Sequence, residues 1–140
     1  ALSSVSKTMP ALFRAVKLQK CAAKTGFDWS DIASVWKKLD EEIEELRQAL
    51  AQQKNINTQQ RIEEELGDML FTIVNLSRFL AVNPELALNG TNDRFVARFQ
   101  HMEQEADISE VNMKDMTPDD FDVLWNRAKQ ALANIRKETP

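Results

Sequence analysis

Apolar positions along this chain recur three and four residues apart, and no stretch alternates convincingly, so the pattern predicts helices and no strands. A first helix is expected from about Pro10 to Thr25. Leu12, Ala15, Val16, Leu18 and Ala22 face a core there, and Lys17, Lys20 and Lys24 stay in water. Pro10 suits the first turn, and Gly26 ends the helix in a turn, Gly26-Phe27-Asp28-Trp29, whose tryptophan reads either as a core residue, the favoured reading, or as a ring available for stacking on a ligand. The second helix is expected from Ser30, as N-cap, to near Gln53. Its stripe is Ile32, Val35, Trp36, Leu39, Ile43, Leu46 and Leu50. Lys54 to Asn57 has no period and reads as a loop. The third helix is expected from Thr58 to Ala81 and turns apolar on nearly all sides from Met69 onward, the mark of a helix buried all round or lying at a subunit interface. Asn83-Pro84-Glu85 starts a fourth helix, and the run Asn89 to Asp93, with Gly90, predicts a break before a second segment from Thr91 to Ala106. Asp107 to Met116 reads as loop. Thr117-Pro118-Asp119-Asp120 is a helix start, and the fifth helix carries Phe121, Leu124, Trp125, Ala128, Leu132 and Ile135. The expected fold class is all-α, a helical bundle.

Composition narrows the chemistry. The chain has 140 residues, of which 43% are hydrophobic and 29% charged, the balance of one ordinary globular domain. Residues 1–9 are Ser-rich and read as a linker or disordered tail ahead of a domain over residues 10–137. A net charge of −4 argues against a nucleic-acid partner. One cysteine excludes an internal disulfide and a Cys-cluster zinc site, and one histidine excludes a His-rich metal centre. No apolar run is long enough to span a bilayer and no signal segment opens the chain, so no membrane role and a cytoplasmic location are expected.

Two acidic clusters change the picture. Asp40 to Glu45 lies on the second helix and Glu63 to Asp68 on the third. Such runs are usually solvated faces. Here the geometry differs. At about 100° per residue, Glu42 lies roughly 80° from the centre of its helix's apolar stripe. Glu45 shares that flank one turn on, and Lys38 one turn before; Glu41 and Glu44 point toward water. Glu65 and Asp68 flank the third helix's apolar face with the same spacing, and Thr72 and Asn75 continue their line. If the two helices form an antiparallel hairpin, Glu42, Glu45, Glu65 and Asp68 converge. Four carboxylates in a partly dry site repel one another, and a bound cation removes that penalty. Oxygen-only ligands select a hard metal, Mg²⁺ or Mn²⁺. Di-iron helical sites use Glu-x-x-His, and the single His101 is preceded by Arg98 at that spacing. Gly67 lies between two of the acids, where either tight helix packing or clearance for metal or substrate would explain it.

The acids and their flanks resemble the MazG-type nucleoside triphosphate pyrophosphohydrolases. The resemblance rests on Glu41-Glu42-x-x-Glu45 followed by Glu65-x-x-Asp68, on Lys17-Leu18-Gln19-Lys20, and on Ala22 to Trp29. It continues through Glu63 to Phe71, Val74-Asn75-Leu76, Arg94-Phe95-x-x-Arg98-Phe99 and Trp125, and it spans about Leu12 to Lys137. The sequence departs from the family at Leu88 to Asn92, where turn formers replace a regular helix. The Ser-rich opening and the absent initial Met look like the C-terminal catalytic domain of a two-domain MazG protein.

The resemblance implies an all-α pyrophosphohydrolase fold, assembled as a homodimer or higher homo-oligomer. It implies hydrolysis of NTPs or dNTPs to the monophosphate and pyrophosphate, ATP included, as nucleotide-pool house-cleaning. Glu42, Glu45, Glu65 and Asp68 would hold Mg²⁺, with Mn²⁺ as a possible substitute. Glu41 or Glu45 would accept the proton from water. Lys38, Arg61, Arg94 and Arg98 would neutralise the triphosphate, Asn75 would contact substrate, and Trp125 would stack on the base. Two alternatives stay open: a non-catalytic helical interaction module with solvated acidic faces, and a narrow dUTP- or dCTP-selective relative.

Overall fold

The structure, a computed structural model, describes residues 1–52 and 55–138, with side chains through Arg136. Gln53 and Lys54, where the sequence places the end of the second helix and the start of its loop, lie outside the described residues. The described residues form α-helices and two short 3-10 turns, with no strand among them. No described helix is long and apolar enough to cross a membrane. The chain divides into two compact units, Ala1–Ala87 and Leu88 onward.

The first unit holds a 3-10 turn at Leu2–Ser4, α1 (Ala11–Lys24), α2 (Ile32–Ala51), α3 (Ile56–Phe79) and the opening turn of α4 (Pro84–Ile108). Its framework is α2 packed on α3, with α1 against α3. Val35 and Ala49 from α2, and Val74 and Leu76 from α3, are buried. Glu45 lies beside Glu65, while Lys38, earlier in α2, acts on Asp68, later in α3. The two helices therefore run antiparallel.

Local chemistry sets the helix ends. The N-cap of α2 is Asp31, one residue after the expected Ser30: its carboxylate accepts from the Ser34 amide at 2.8 Å and the Ser34 hydroxyl at 2.7 Å. A carboxylate is favoured at that position by the partial positive charge of the helix start. Asn55 caps α3 by accepting from the Thr58 amide at 2.9 Å, so the helix opens at Ile56, ahead of the expected Thr58. At the end of α1 the Phe27 amide reaches back to the Ala22 carbonyl (3.2 Å) and the Gly26 amide to Ala23 (3.0 Å). That closure needs a left-handed residue, and Gly26 supplies it at φ 93°.

Of the two readings of the third helix, burial all round does not hold within this chain: Leu66, Leu70, Phe71 and Ile73 are exposed, so the apolar run leaves a face open. One expectation about the fourth helix is corrected. The fourth helix does not break. α4 runs unbroken from Pro84 to Ile108, through Gly90 and its polar neighbours. A glycine costs about 1 kcal/mol in a helix. Once Asn83 has capped the start, accepting from the Glu85 and Leu86 amides at 3.0 and 3.2 Å, propagation carries through that cost.

In the second unit α4 packs on α5 (Pro118–Glu138). Met102, Leu124 and Ala128 are its buried centre, with Met113, Met116, Phe121 and Trp125 against them. A second 3-10 turn, Met113–Asp115, occupies part of the expected loop. Thr117 and Asp120 cap α5 reciprocally, at 2.9 and 3.2 Å.

Candidate metal centre and adjoining cavity

The antiparallel α2–α3 pair brings Glu42, Glu45 and Glu65 together, each offering an oxygen within 4.8 Å of the others'. Glu42 is only 4% exposed. A solvated acidic face does not bury its carboxylate, so that reading fails for this residue. Lys38, one turn before it on α2, donates to Glu42 Oε1 at 2.7 Å. Arg61 Nε stands 3.9 Å from Glu65 Oε1 in the same i,i+4 relation on α3. Each cation thus engages one oxygen of its acid. The second oxygens, Glu42 Oε2 and Glu65 Oε2, are both buried with no hydrogen-bond partner. An unsatisfied buried carboxylate oxygen is costly, and two beside a third carboxylate more so.

The electrostatics carry the same strain. The charge of Glu42 raises the Glu45 carboxyl above the ordinary glutamate range, with burial and Glu65 adding to it. Asp68 is raised mainly by burial, then by the charges of Glu42 and Glu65. Lys38 is raised above the usual lysine value by its hydrogen bond to Glu42. The donors are oxygens alone, with no histidine or cysteine among the three residues, and such a set fits a hard divalent cation. The two orphaned oxygens are the observation that supports the fit.

The other expected residues fall in different places. Asp68 is outside the group of three, although it lines a cavity together with Glu42. Glu41 also stands outside it. Its carboxylate is 52% exposed and 4.0 Å from Lys38. Arg94, Arg98 and Trp125 belong to the second unit. There Arg94 donates to Thr91 Oγ1 at 2.9 Å, and the Arg98 guanidinium lies 5.5 Å from the Trp125 ring centre. Arg94 and Arg98 line a cleft of about 410 Å³ between α4 and α5 with Asp93, Lys129 and Arg136.

The cavity beside Glu42 has a volume of about 620 Å³, well inside the range of small-molecule sites. Lys38, Asp68, Thr72 and Asn75 contribute polar wall, and Leu18, Ala22, Phe27 and Phe71 apolar wall. Trp29 lines it too and is part-exposed, a correction to the expected core position: the turn at Gly26 carries it to the cavity instead. Three contributors were not singled out by spacing: Gln19, Asp28 and Arg78. Arg78 forks onto Asp28 at 3.3 and 3.0 Å and also donates to Asn75 Oδ1 at 2.7 Å. The hydrogen bond from Arg78 holds the Asp28 carboxyl below the usual aspartate range.

Gly67 has nothing within 4 Å of where a Cβ would stand, so tight packing does not account for it. Gly67→Ala is expected to gain the helix-propensity difference without a clash, about 1 kcal/mol of stability in urea unfolding. A destabilised variant would mean that another body closes on that face.

Residues 18–106 match the family model of the MazG nucleotide pyrophosphohydrolase domain. The chain is 38% identical over 128 residues to the nucleoside triphosphate pyrophosphohydrolase/pyrophosphatase MazG of Thermotoga maritima, covering 91% of this chain and 48% of that one. It is 36% identical over 134 residues to the nucleoside triphosphate pyrophosphohydrolase of Escherichia coli K12, covering 93% and 49%. It is 44% identical over 129 residues to the uncharacterized protein YabN of Bacillus subtilis, covering 92% and 26%. The chain thus spans about half the length of the first two relatives. With a matched segment that takes in all three clustered glutamates and most of the cavity wall, the chain belongs to the MazG nucleotide pyrophosphohydrolase domain family.

Proposed function

We propose that this chain hydrolyses nucleoside triphosphates, ribo or deoxyribo, to the monophosphate and pyrophosphate, NTP + H₂O → NMP + PPi, in cytoplasmic house-cleaning of the nucleotide pool. The observation that carries the reading is the double role of Glu42. It is one of three converging carboxylates and also a wall of a cavity large enough for a nucleoside. Phosphate chemistry and nucleoside binding would then share a border.

Glu42, Glu45 and Glu65 would hold Mg²⁺, with Asp68 beside them at the cavity wall. Bound there, magnesium supplies charge neutralisation for the polyphosphate. The chain's own groups do the rest. Lys38 holds one oxygen of Glu42, which leaves the other free to act as a ligand. Arg61 acts similarly on Glu65 from a longer distance. Of the two candidates to take the proton from water, position favours Glu45, which stands among the carboxylates, over the outlying Glu41. Apolar cavity walls hold the nucleoside and exclude bulk water. Arg94 and Arg98 are proposed as phosphate contacts and Trp125 as a base contact. A homodimer is proposed, resting on the open apolar face of α3.

A panel of NTPs and dNTPs tests the reading with millimolar Mg²⁺ or Mn²⁺. The expected products are NMP and pyrophosphate in equal amounts, lost with EDTA. Release of inorganic phosphate instead, or no product from any member, would overturn it.

A further inference from the structure

Gln19 is only 5% exposed, sits on α1 and forms part of the cavity wall. Its amide is not free to flip. Nε2 donates to the Phe71 main-chain carbonyl at 2.9 Å, and that partner can only accept. The oxygen, Oε1, is therefore the remaining half, and it is buried with no hydrogen-bond partner. Asn75 is the counterpart on α3, 8% exposed and on the same wall. Arg78 can only donate, and its Nη1 lies 2.7 Å from Asn75 Oδ1. Asp28 grips the same guanidinium through both carboxylate oxygens. Asn75 is thereby left with its amide N–H₂. The cavity wall thus includes Gln19, whose oxygen is buried and unpaired, and Asn75, whose amide nitrogen is left over, each side chain fixed by its other end.

Every common nucleobase presents an N–H donor near an acceptor on its pairing edge. We infer that Gln19 and Asn75 read that donor–acceptor pair, with Gln19 Oε1 accepting from a base N–H, so that Gln19 is a specificity-determining residue for a class of bases. The inference rests on the proposed nucleotide site and deepens it. It predicts tolerance among ordinary bases, because each can satisfy both groups. It also predicts discrimination against a base stripped of its donor, because that base would leave a buried acceptor unpaired.

The test compares AMP with purine riboside monophosphate, which lacks only the 6-amino group. Binding is read by calorimetry, so turnover is not needed. Sugar hydroxyls are the other possible source of a donor, and 2′-deoxy- and 3′-deoxy-AMP form the second arm. The wild-type protein is expected to bind AMP about tenfold or more tighter than the stripped base. In Gln19→Leu and Gln19→Met that ratio is expected to fall toward one, while the sugar ratios stay as they were. A simple loss of structure would weaken all ligands together and leave the ratios alone. A wild-type ratio within about twofold of one overturns the inference with no variant required. So does a ratio that persists in both variants, or a sugar ratio that collapses in place of the base ratio. Discrimination by binding without any pyrophosphate release would instead leave Gln19's role standing and remove the hydrolase reading.

Discussion

Glu65→Gln is expected to abolish divalent-ion binding and to lower pyrophosphate release roughly a thousandfold, while the far-UV helical signal stays unchanged. The substitution keeps shape and removes one negative charge from a group of three. Glu65 Oε2 is buried with no hydrogen-bond partner, the nearest cation to its carboxylate is Arg61 at 3.9 Å, and its charge otherwise acts on Glu45 and Asp68 by repulsion. The fold therefore has little to lose, and the site loses a ligand. Even outer partners of a metal site are worth about ten- to a hundredfold in affinity, and an inner carboxylate should exceed that. Glu42→Gln is expected to do the same to the ion and to cost stability as well, because it turns the 2.7 Å ion pair with Lys38 into a weaker neutral-acceptor hydrogen bond in a buried setting. Equilibrium dialysis with Mn²⁺, together with turnover and circular dichroism, separates these effects. A Glu65→Gln protein that binds Mn²⁺ and turns over as the wild type does would remove that carboxylate from the site.

The convergence of these acids was legible in the sequence because it depends on one number, the helical period. Glu42 and Glu45 share a flank, Glu65 joins them once α2 and α3 pair, and short-range spacing sufficed for all three. Asp68 has the same flank one further turn along α3, and it stands with Glu42 on the cavity wall. The Asp28–Arg78–Asn75 chain was not legible, because Asp28 and Arg78 are brought together across fifty positions by the turn at Gly26, and no periodicity reports such a pairing. Gln19 did leave a signal. It stands four after Ala15, three after Val16 and three before Ala22, a polar residue inside the apolar stripe of its own helix. Its burial and its bond to Phe71 are the consequence. The uninterrupted α4 marks the opposite error. Turn-forming residues at Asn89 to Asp93 state a local preference of modest size, and a capped helix of this length overrides it.

Glu45→Gln is expected to be more stable than the wild type without metal and less stable with it, so that the order of the two melting temperatures inverts on adding Mn²⁺. The sign follows from the raised carboxyl. A carboxylic acid whose folded pKa lies above its unfolded value favours folding at low pH, and that contribution is lost as pH rises through the folded value. At neutral pH the ionised Glu45 therefore works against the fold, chiefly through Glu42. Glutamine has no such charge, and the apo variant escapes the penalty. The advantage should fade as pH falls below the ordinary glutamate range, where the wild-type group is neutral as well. A divalent ion reverses the ledger. At about a hundred times its dissociation constant, a ligand of the folded state adds about 2.7 kcal/mol, which for a chain of this size is about 10 °C of melting temperature. Wild-type protein should show that rise at pH 7.5 and progressively lose it toward pH 4, where protons compete for the oxygens of Glu45 and Asp68. Glu45→Gln should show little rise at either pH. Thermal melts at several pH values with EDTA or Mn²⁺ decide the matter. If the wild type is already the more stable protein in EDTA at neutral pH, repulsion among these carboxylates is not what an ion relieves. Equal shifts in both proteins would place the ion elsewhere.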